Sequence, residues 1–147
     1  MRKLERARCS RRAFTMLELI VVLTVIGVIL TFAAPQFARS RDGASVRSAS
    51  ADLAGAFSLA RQTAVNRREL TAIVLDTAHG RVLVRAGGEV VLSHDLFTAY
   101  GILLLANRDS AVYDAKGLGY GVSNLTVTVK RGAMADTLTV SRLGRVR

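Results

Sequence analysis

The sequence predicts an α+β fold: one long N-terminal helix, apolar over its first half and amphipathic over its second, packed on a small antiparallel β-sheet or two-sheet sandwich domain. Three observations carry this. Residues 14–38, FTMLELIVVLTVIGVILTFAAPQFA, contain a single charged side chain, Glu18. Val46, Ala49, Leu53, Phe57, Ala60 and Ala64 then recur every three or four residues, the spacing of one helical face. From Glu69 onward, short β-rich runs alternate with turn residues.

Residues 1–13 come first. The 147-residue chain has a formal net charge of +10, which at first suggests a nucleic-acid partner. The charges are unevenly placed, however: Arg2, Lys3, Arg6, Arg8, Arg11 and Arg12 stand against Glu5 alone in this leader, so half of the excess lies there. A basic segment flanking an apolar one is retained in the cytoplasm. The chain is therefore expected to enter a membrane with its N-terminus inside. The only cysteine, Cys9, falls in the same leader, which leaves the exported part without a disulfide.

Residues 14–38 are read as a transmembrane helix. At 1.5 Å per residue they would extend about 37 Å, more than the ~30 Å hydrocarbon core of a bilayer. A cleaved signal peptide and a buried core helix are the competing readings. The run is longer than a usual signal-peptide core, and no A-x-A pattern closes it around Ala33, Ala34 and Pro35. Neither competitor accounts for Glu18, since a carboxylate inside a membrane costs about 2.5–3.5 kcal/mol at the centre and less near the surface. Cleavage between Ala13 and Phe14 would create an ammonium four residues from Glu18, at the positive end of the helix dipole. Snorkelling of Glu18 to the headgroups is the other reading.

Residues 39–68 continue the helix, with Arg39, Arg41, Asp42, Arg47, Asp52 and Arg61 between the apolar positions as a solvated face. Pro35 removes an amide donor and is expected to bend the helix, and Gly43 is a second weak point. Residues 69–147 form the β domain, with strands expected at 71–76, 81–86, 90–92, 102–106, 112–114, 125–130 and 137–141. Spacing this tight leaves no room for crossover helices, so the pairing is antiparallel.

Catalytic and metal-binding patterns are weak. Ser93-His94-Asp95 holds the residue types of a triad, but consecutive strand residues point to opposite faces, and the segment is read as the start of a turn. Gly117-Leu118-Gly119-Tyr120-Gly121 is not a G-x-G-x-x-G motif and is read as a flexible loop. His79 and His94 are too few for a zinc site, and the carboxylates lack calcium-loop spacing. No cofactor, no metal and no enzymatic activity are expected.

Arg11-Arg12-Ala13 followed by Phe14-Thr15-Met16-Leu17-Glu18-Leu19-Ile20-Val21-Val22 resembles the signal of type IV pilins and type II secretion pseudopilins. The resemblance implies cleavage by a prepilin peptidase between Ala13 and Phe14 and methylation of the new Phe14 amine. It further implies Glu18 as the glutamate that registers subunits during filament assembly, and Pro35 as the helix-kinking proline. Ala13 stands where the family normally has Gly. The overall plan and the segment Leu138-Thr139-Val140-Ser141-Arg142-Leu143-Gly144-Arg145-Val146-Arg147 are similar to the GspH/FimT branch of minor pilins. This resemblance implies a minor pseudopilin near the tip of the periplasmic filament of a type II secretion system. Its partners would be other pilin or pseudopilin subunits, the prepilin peptidase and inner-membrane lipid, with the C-terminal domain in the periplasm.

Lys130, Arg131, Arg142, Arg145 and Arg147 cluster near the carboxyl end and suit phosphate binding. The G-R-x-R ending resembles the tail through which FimT-like pilins of naturally transformable bacteria hold DNA, which implies DNA as an alternative partner. Basic residues also protect exposed strand edges, and no aromatic residues interleave with these cations to stack on bases.

The Ala13-Phe14 junction yields a direct expectation. N-terminal mass spectrometry of the membrane-extracted protein, from cells with active prepilin peptidase, gives Phe14 as the first residue. Retained Met1, or a start at Ala34 or Pro35, would contradict the pilin reading.

Overall fold

The computed structural model describes residues 14–120, 124–141, 143 and 145–147; the leader with Ala13, and Arg142 of the basic tail, lie outside the described residues. The chain divides into two compact units, Met1–Phe37 and Ala38–Arg147. One helix, α1, runs from Met16 to Arg67.

In the first unit every described side chain is exposed, and the most apolar window has a mean hydropathy of 2.6, long and apolar enough to cross a membrane. The Thr24 and Thr31 hydroxyls donate back to the carbonyls of Ile20 and Gly27, at 2.7 and 2.9 Å. These bonds satisfy two polar groups inside an otherwise apolar surface. Pro35 lies within α1 and does not end it. Its missing N–H removes one bond, to the Thr31 carbonyl, while the flanking turns keep theirs. Gly43, a second expected weak point, is likewise inside the helix and buried.

The second unit wraps two sheets on the other half of α1. Its strands are β1 (Thr71–Asp76), β2 (Arg81–Ala86), β3 (Glu89–Asp95), β4 (Leu103–Ala106), β5 (Ser110–Tyr113), β6 (Leu125–Arg131) and β7 (Met134–Val140). A short helix, α2 (Leu96–Tyr100), joins β3 to β4. One sheet has the order β3-β2-β1-β5 and the other β4-β6-β7, all pairings antiparallel. The α+β expectation holds, in its two-sheet form.

Each sheet buries alternate residues, as the pleat requires. Ile73 and Leu75 of β1, Val82 and Val84 of β2, Leu104 of β4 and Leu125, Val127 and Val129 of β6 meet α1 through Val46, Ala49, Leu53, Ala56, Phe57, Ala60 and Ala64. All six apolar positions expected on the inner face of the helix are buried. Every residue of this core belongs to the second unit. A fragment beginning at Ala38 therefore carries the whole core.

Several details differ from the sequence expectation; β4, β5 and β6 run 103–106, 110–113 and 125–131 rather than 102–106, 112–114 and 125–130, and the larger differences have physical reasons. The 90–92 run is longer, 89–95, because a β-bulge at Val84/Arg85 lets β3 continue along β2. The last strand starts earlier, at Met134, because Gly132, at φ 56°, forms the tight turn between β6 and β7. Ser93-His94-Asp95 is not the start of a turn but the end of β3. Asp95 caps α2, its Oδ1 accepting the Thr98 N–H at 2.8 Å, and Gly101 closes that helix at φ 64°. A helix of five residues is too short to show a period, which is why it escaped the hydrophobic pattern.

Phe57 is 1% exposed at the centre of this packing. Phe57→Ala should destabilise the fragment beginning at Ala38 by about 3–5 kcal/mol, read as a lower urea midpoint at unchanged slope.

Candidate functional site

The start of α1 is organised by Thr15 and Glu18. The Glu18 N–H donates to Thr15 Oγ1 at 3.2 Å, so Thr15 caps the helix and Glu18 sits at its third position. Thr15-x-x-Glu18 is the spacing of a capping box, a signal present in the sequence but overlooked beside the membrane pattern. The carboxylate is at the positive end of the helix dipole. Phe14 is exposed just before it.

Further along, polar ties fasten the helix to the sheets. Arg131, at the end of β6, donates from Nε to Asp42 Oδ1 at 2.9 Å and from a terminal nitrogen to Ser45 Oγ at 3.0 Å and to the Tyr100 carbonyl. The Tyr100 hydroxyl donates to Asp52 Oδ2 at 2.6 Å, and that bond pushes the Tyr100 phenol above its ordinary pKa. His94 Nε2 lies 3.8 Å from the same carboxylate oxygen. Arg67, in the last turn of α1, pairs with Glu89 at 2.9 Å.

Two local turns use the remaining acids. The Asp76 carboxylate is held below its usual pKa by the His79 ring nitrogen at 2.8 Å, and Asp95 by the Thr98 N–H. Gly117-Leu118-Gly119 folds back on β5, with Tyr113 bridging Gly119 and Asp114 Oδ1 accepting the Lys116 and Leu118 N–H groups at 2.9 Å. The described part of this glycine-rich stretch is thus pinned by hydrogen bonds. Among the described residues no three His, Cys, Asp or Glu side chains gather as a metal site.

The C-terminal tail turns back along β7. Arg147 N–H donates to the Thr139 carbonyl at 2.9 Å, Thr139 N–H donates to the Arg147 carbonyl at 2.7 Å, and Ser141 N–H donates to the Arg145 carbonyl at 2.9 Å. Val146 packs against the core, leaving Arg145 and Arg147 exposed on either side of it. Beside the tail runs a groove of ≈ 570 Å³, lined by Ser58, Arg61, Gln62, Val65 and Asn66 of α1 together with Arg145, Val146 and Arg147.

The structure separates the basic residues that the sequence grouped. Arg145 and Arg147 share the groove; Arg131 is half-buried and engaged with Asp42. Lys130 is exposed on β6, in register with Leu103, and does not line the groove. Arg61, which the sequence pattern places on the solvated face of the helix, is the third arginine of the groove. No local signal marks it, because its neighbours arrive from more than 80 residues away along the chain.

Two family models match the chain. Residues 8–34 match the prokaryotic N-terminal methylation motif, and residues 49–144 match type II transport protein GspH. Over 137 residues the chain is 26% identical to the competence protein ComGD of Bacillus subtilis (strain 168), covering 93% of this chain and 92% of that one. Its fold is similar to the type IV minor pilin FimU of Pseudomonas aeruginosa (strain PAO1), with a TM-score of 0.60, 20% identity, and 69% of this chain and 86% of that chain covered. A second crystal form of FimU gives a TM-score of 0.57 at 19% identity, covering 69% of this chain and 90% of that one.

Proposed function

We propose a function from one premise: the chain belongs to the family of type II transport protein GspH, whose model spans residues 49–144. It is a pilin-like minor pseudopilin, with a long apolar N-terminal helix packed on antiparallel sheets. The related families are structural filament subunits rather than enzymes.

The finer reading is a minor subunit of a type II secretion system, incorporated near the tip of the periplasmic pseudopilus for protein export. The single observation that carries it is the join between a methylation motif at residues 8–34 and a GspH domain at residues 49–144 in one chain. On this reading a prepilin peptidase cuts between Ala13 and Phe14, and the Phe14 amine is methylated. The apolar part of α1 lies in inner-membrane lipid with the leader cytoplasmic and the domain periplasmic. Pro35 kinks the helix. Glu18 meets the Phe14 ammonium of a neighbouring subunit, an ion pair that low-dielectric surroundings strengthen.

Glu18→Ala tests that role, because removing a carboxylate eases membrane insertion while deleting the inter-subunit partner. The variant should enter the membrane normally, yet its recovery in purified filaments or pilin complexes should fall. Normal recovery would leave Glu18 as a carboxylate that only snorkels to the headgroups.

A second reading has an observation of its own. Arg61, Arg145 and Arg147 line one groove with no acidic residue among its walls, and a relative matched over 93% of this chain is a competence protein. The second reading is a FimT-like minor pilin that binds DNA during natural transformation. Replacing Arg145 and Arg147 together by Gln should then weaken binding of the fragment beginning at Ala38 to duplex DNA. The slope of log affinity against log salt should shrink by roughly two. An unchanged slope, or no binding by the wild-type fragment at low salt, would leave the secretion reading alone.

A further inference from the structure

We propose that the phosphate-binding surface has two walls, and that α1 supplies the second through Arg61, with Gln62 and Asn66 as neutral donors beside it. This inference rests on the DNA-binding reading and adds a helix wall to the tail.

Ser58, Arg61, Gln62, Val65 and Asn66 recur at helical spacing, so they form one face of α1 directly beside the buried positions Phe57, Ala60 and Ala64. The tail lies across from that face, fixed to Thr139 and Ser141 by backbone bonds. One wall is thus helix and the other a tail segment held to the end of β7 by backbone bonds.

Arg61 is pre-positioned. Its Nε donates to the Gly117 carbonyl at 3.1 Å, which directs the guanidinium and leaves its terminal nitrogens without a hydrogen bond or ion pair among the described residues. Gly117 sits at φ 73°, and a Cβ there would come within 2.9 Å of Val65 Cγ2 and 3.1 Å of Arg61 Nε. Only glycine lets the turn approach this closely. Holding a long side chain in place before the ligand arrives removes part of the ordering cost of binding.

The chemistry of the walls selects the ligand. Three guanidinium groups with no Asp or Glu side chain among the described residues of the lining form a cationic groove, and an arginine fork matches two phosphate oxygens at once. The amides of Gln62 and Asn66 and the Ser58 hydroxyl are suited to phosphate and sugar oxygens. No aromatic side chain lines the groove, so bases have nothing to stack on and a duplex backbone is favoured over single strands. A protein partner would need a large apolar or aromatic anchor, whereas the groove offers only Val65 and Val146.

The test uses the fragment beginning at Ala38, a fluorescent duplex of mixed sequence and a salt titration. Arg61→Gln should weaken binding equally on unrelated sequences and reduce the salt slope by about one, independently of Arg145 and Arg147. Arg61→Lys keeps the charge while losing the bond to Gly117, so it should retain the wild-type slope; thermal melts of both variants separate folding from binding. If Arg61→Gln binds as wild type while the tail variant does not, the helix wall is wrong and the tail alone holds DNA. Failure of the wild-type fragment to bind DNA at low salt would remove the DNA reading and this wall with it. Arg61-dependent binding of polyglutamate without DNA binding would assign the groove to an acidic polypeptide and overturn the proposal.

Discussion

The stripe of small and apolar side chains on α1, from Val46 to Ala64, governs the geometry of everything after Ala38. Ala49, Leu53, Ala60 and Ala64 are wholly buried in the core that the helix shares with strands of both sheets. Neither sheet could be stable alone, because one has three strands and the other four, and each has only one apolar face. The helix supplies the missing cover to both. Small side chains also leave the flanks of α1 close to the sheet margins. That proximity brings Asp42 to Arg131, Asp52 to Tyr100 and Arg61 to Gly117.

Much of this fold was legible along the chain because its signals are local. The helix period and the β-rich runs at 71–76 and 81–86 depend on neighbours within a few residues, and both strands have the expected bounds, whereas α1 runs unbroken through Pro35 and Gly43. Their assignment to two sheets was not legible, because β5 pairs with β1 and β4 with β6, and nothing local distinguishes these partners. The candidate site was legible in part for the same reason. Thr15-x-x-Glu18 and the tail arginines are local patterns; Arg61 acquires a partner 56 positions away only when the stripe is packed.

The charge excess shows why composition alone is a poor guide to a binding surface. Outside the leader, several cations are engaged by the chain itself: Arg67 with Glu89 and Glu69, Arg81 with Asp95, and Arg131 with Asp42. The exposed pairs of Arg67 and Arg81 add little stability, but all of these pairs remove cations from the pool that faces a partner. Arg131 illustrates the point, since in sequence it stands beside Lys130 and in the fold it is the tie between β6 and α1. Arginine spacing in the chain is therefore not the spacing a ligand meets.

The same reasoning bears on Glu18, where capping and assembly are compatible rather than competing roles. A helix start leaves its first N–H groups without intrahelical partners, and Thr15 Oγ1 takes the one on Glu18 itself. The cap thus uses the Glu18 backbone and leaves both carboxylate oxygens open among the described residues. The helix dipole favours a negative charge at this position. A carboxylate with unused acceptor capacity, at the end of an apolar helix, gains most from a cation that also donates hydrogen bonds to it, because those bonds offset the desolvation of both charges. In the proposed filament the Phe14 ammonium of a neighbour has that property. The Thr15 hydroxyl then becomes a positioning group: it fixes the first turn, and so the height along the helix at which the two charges meet.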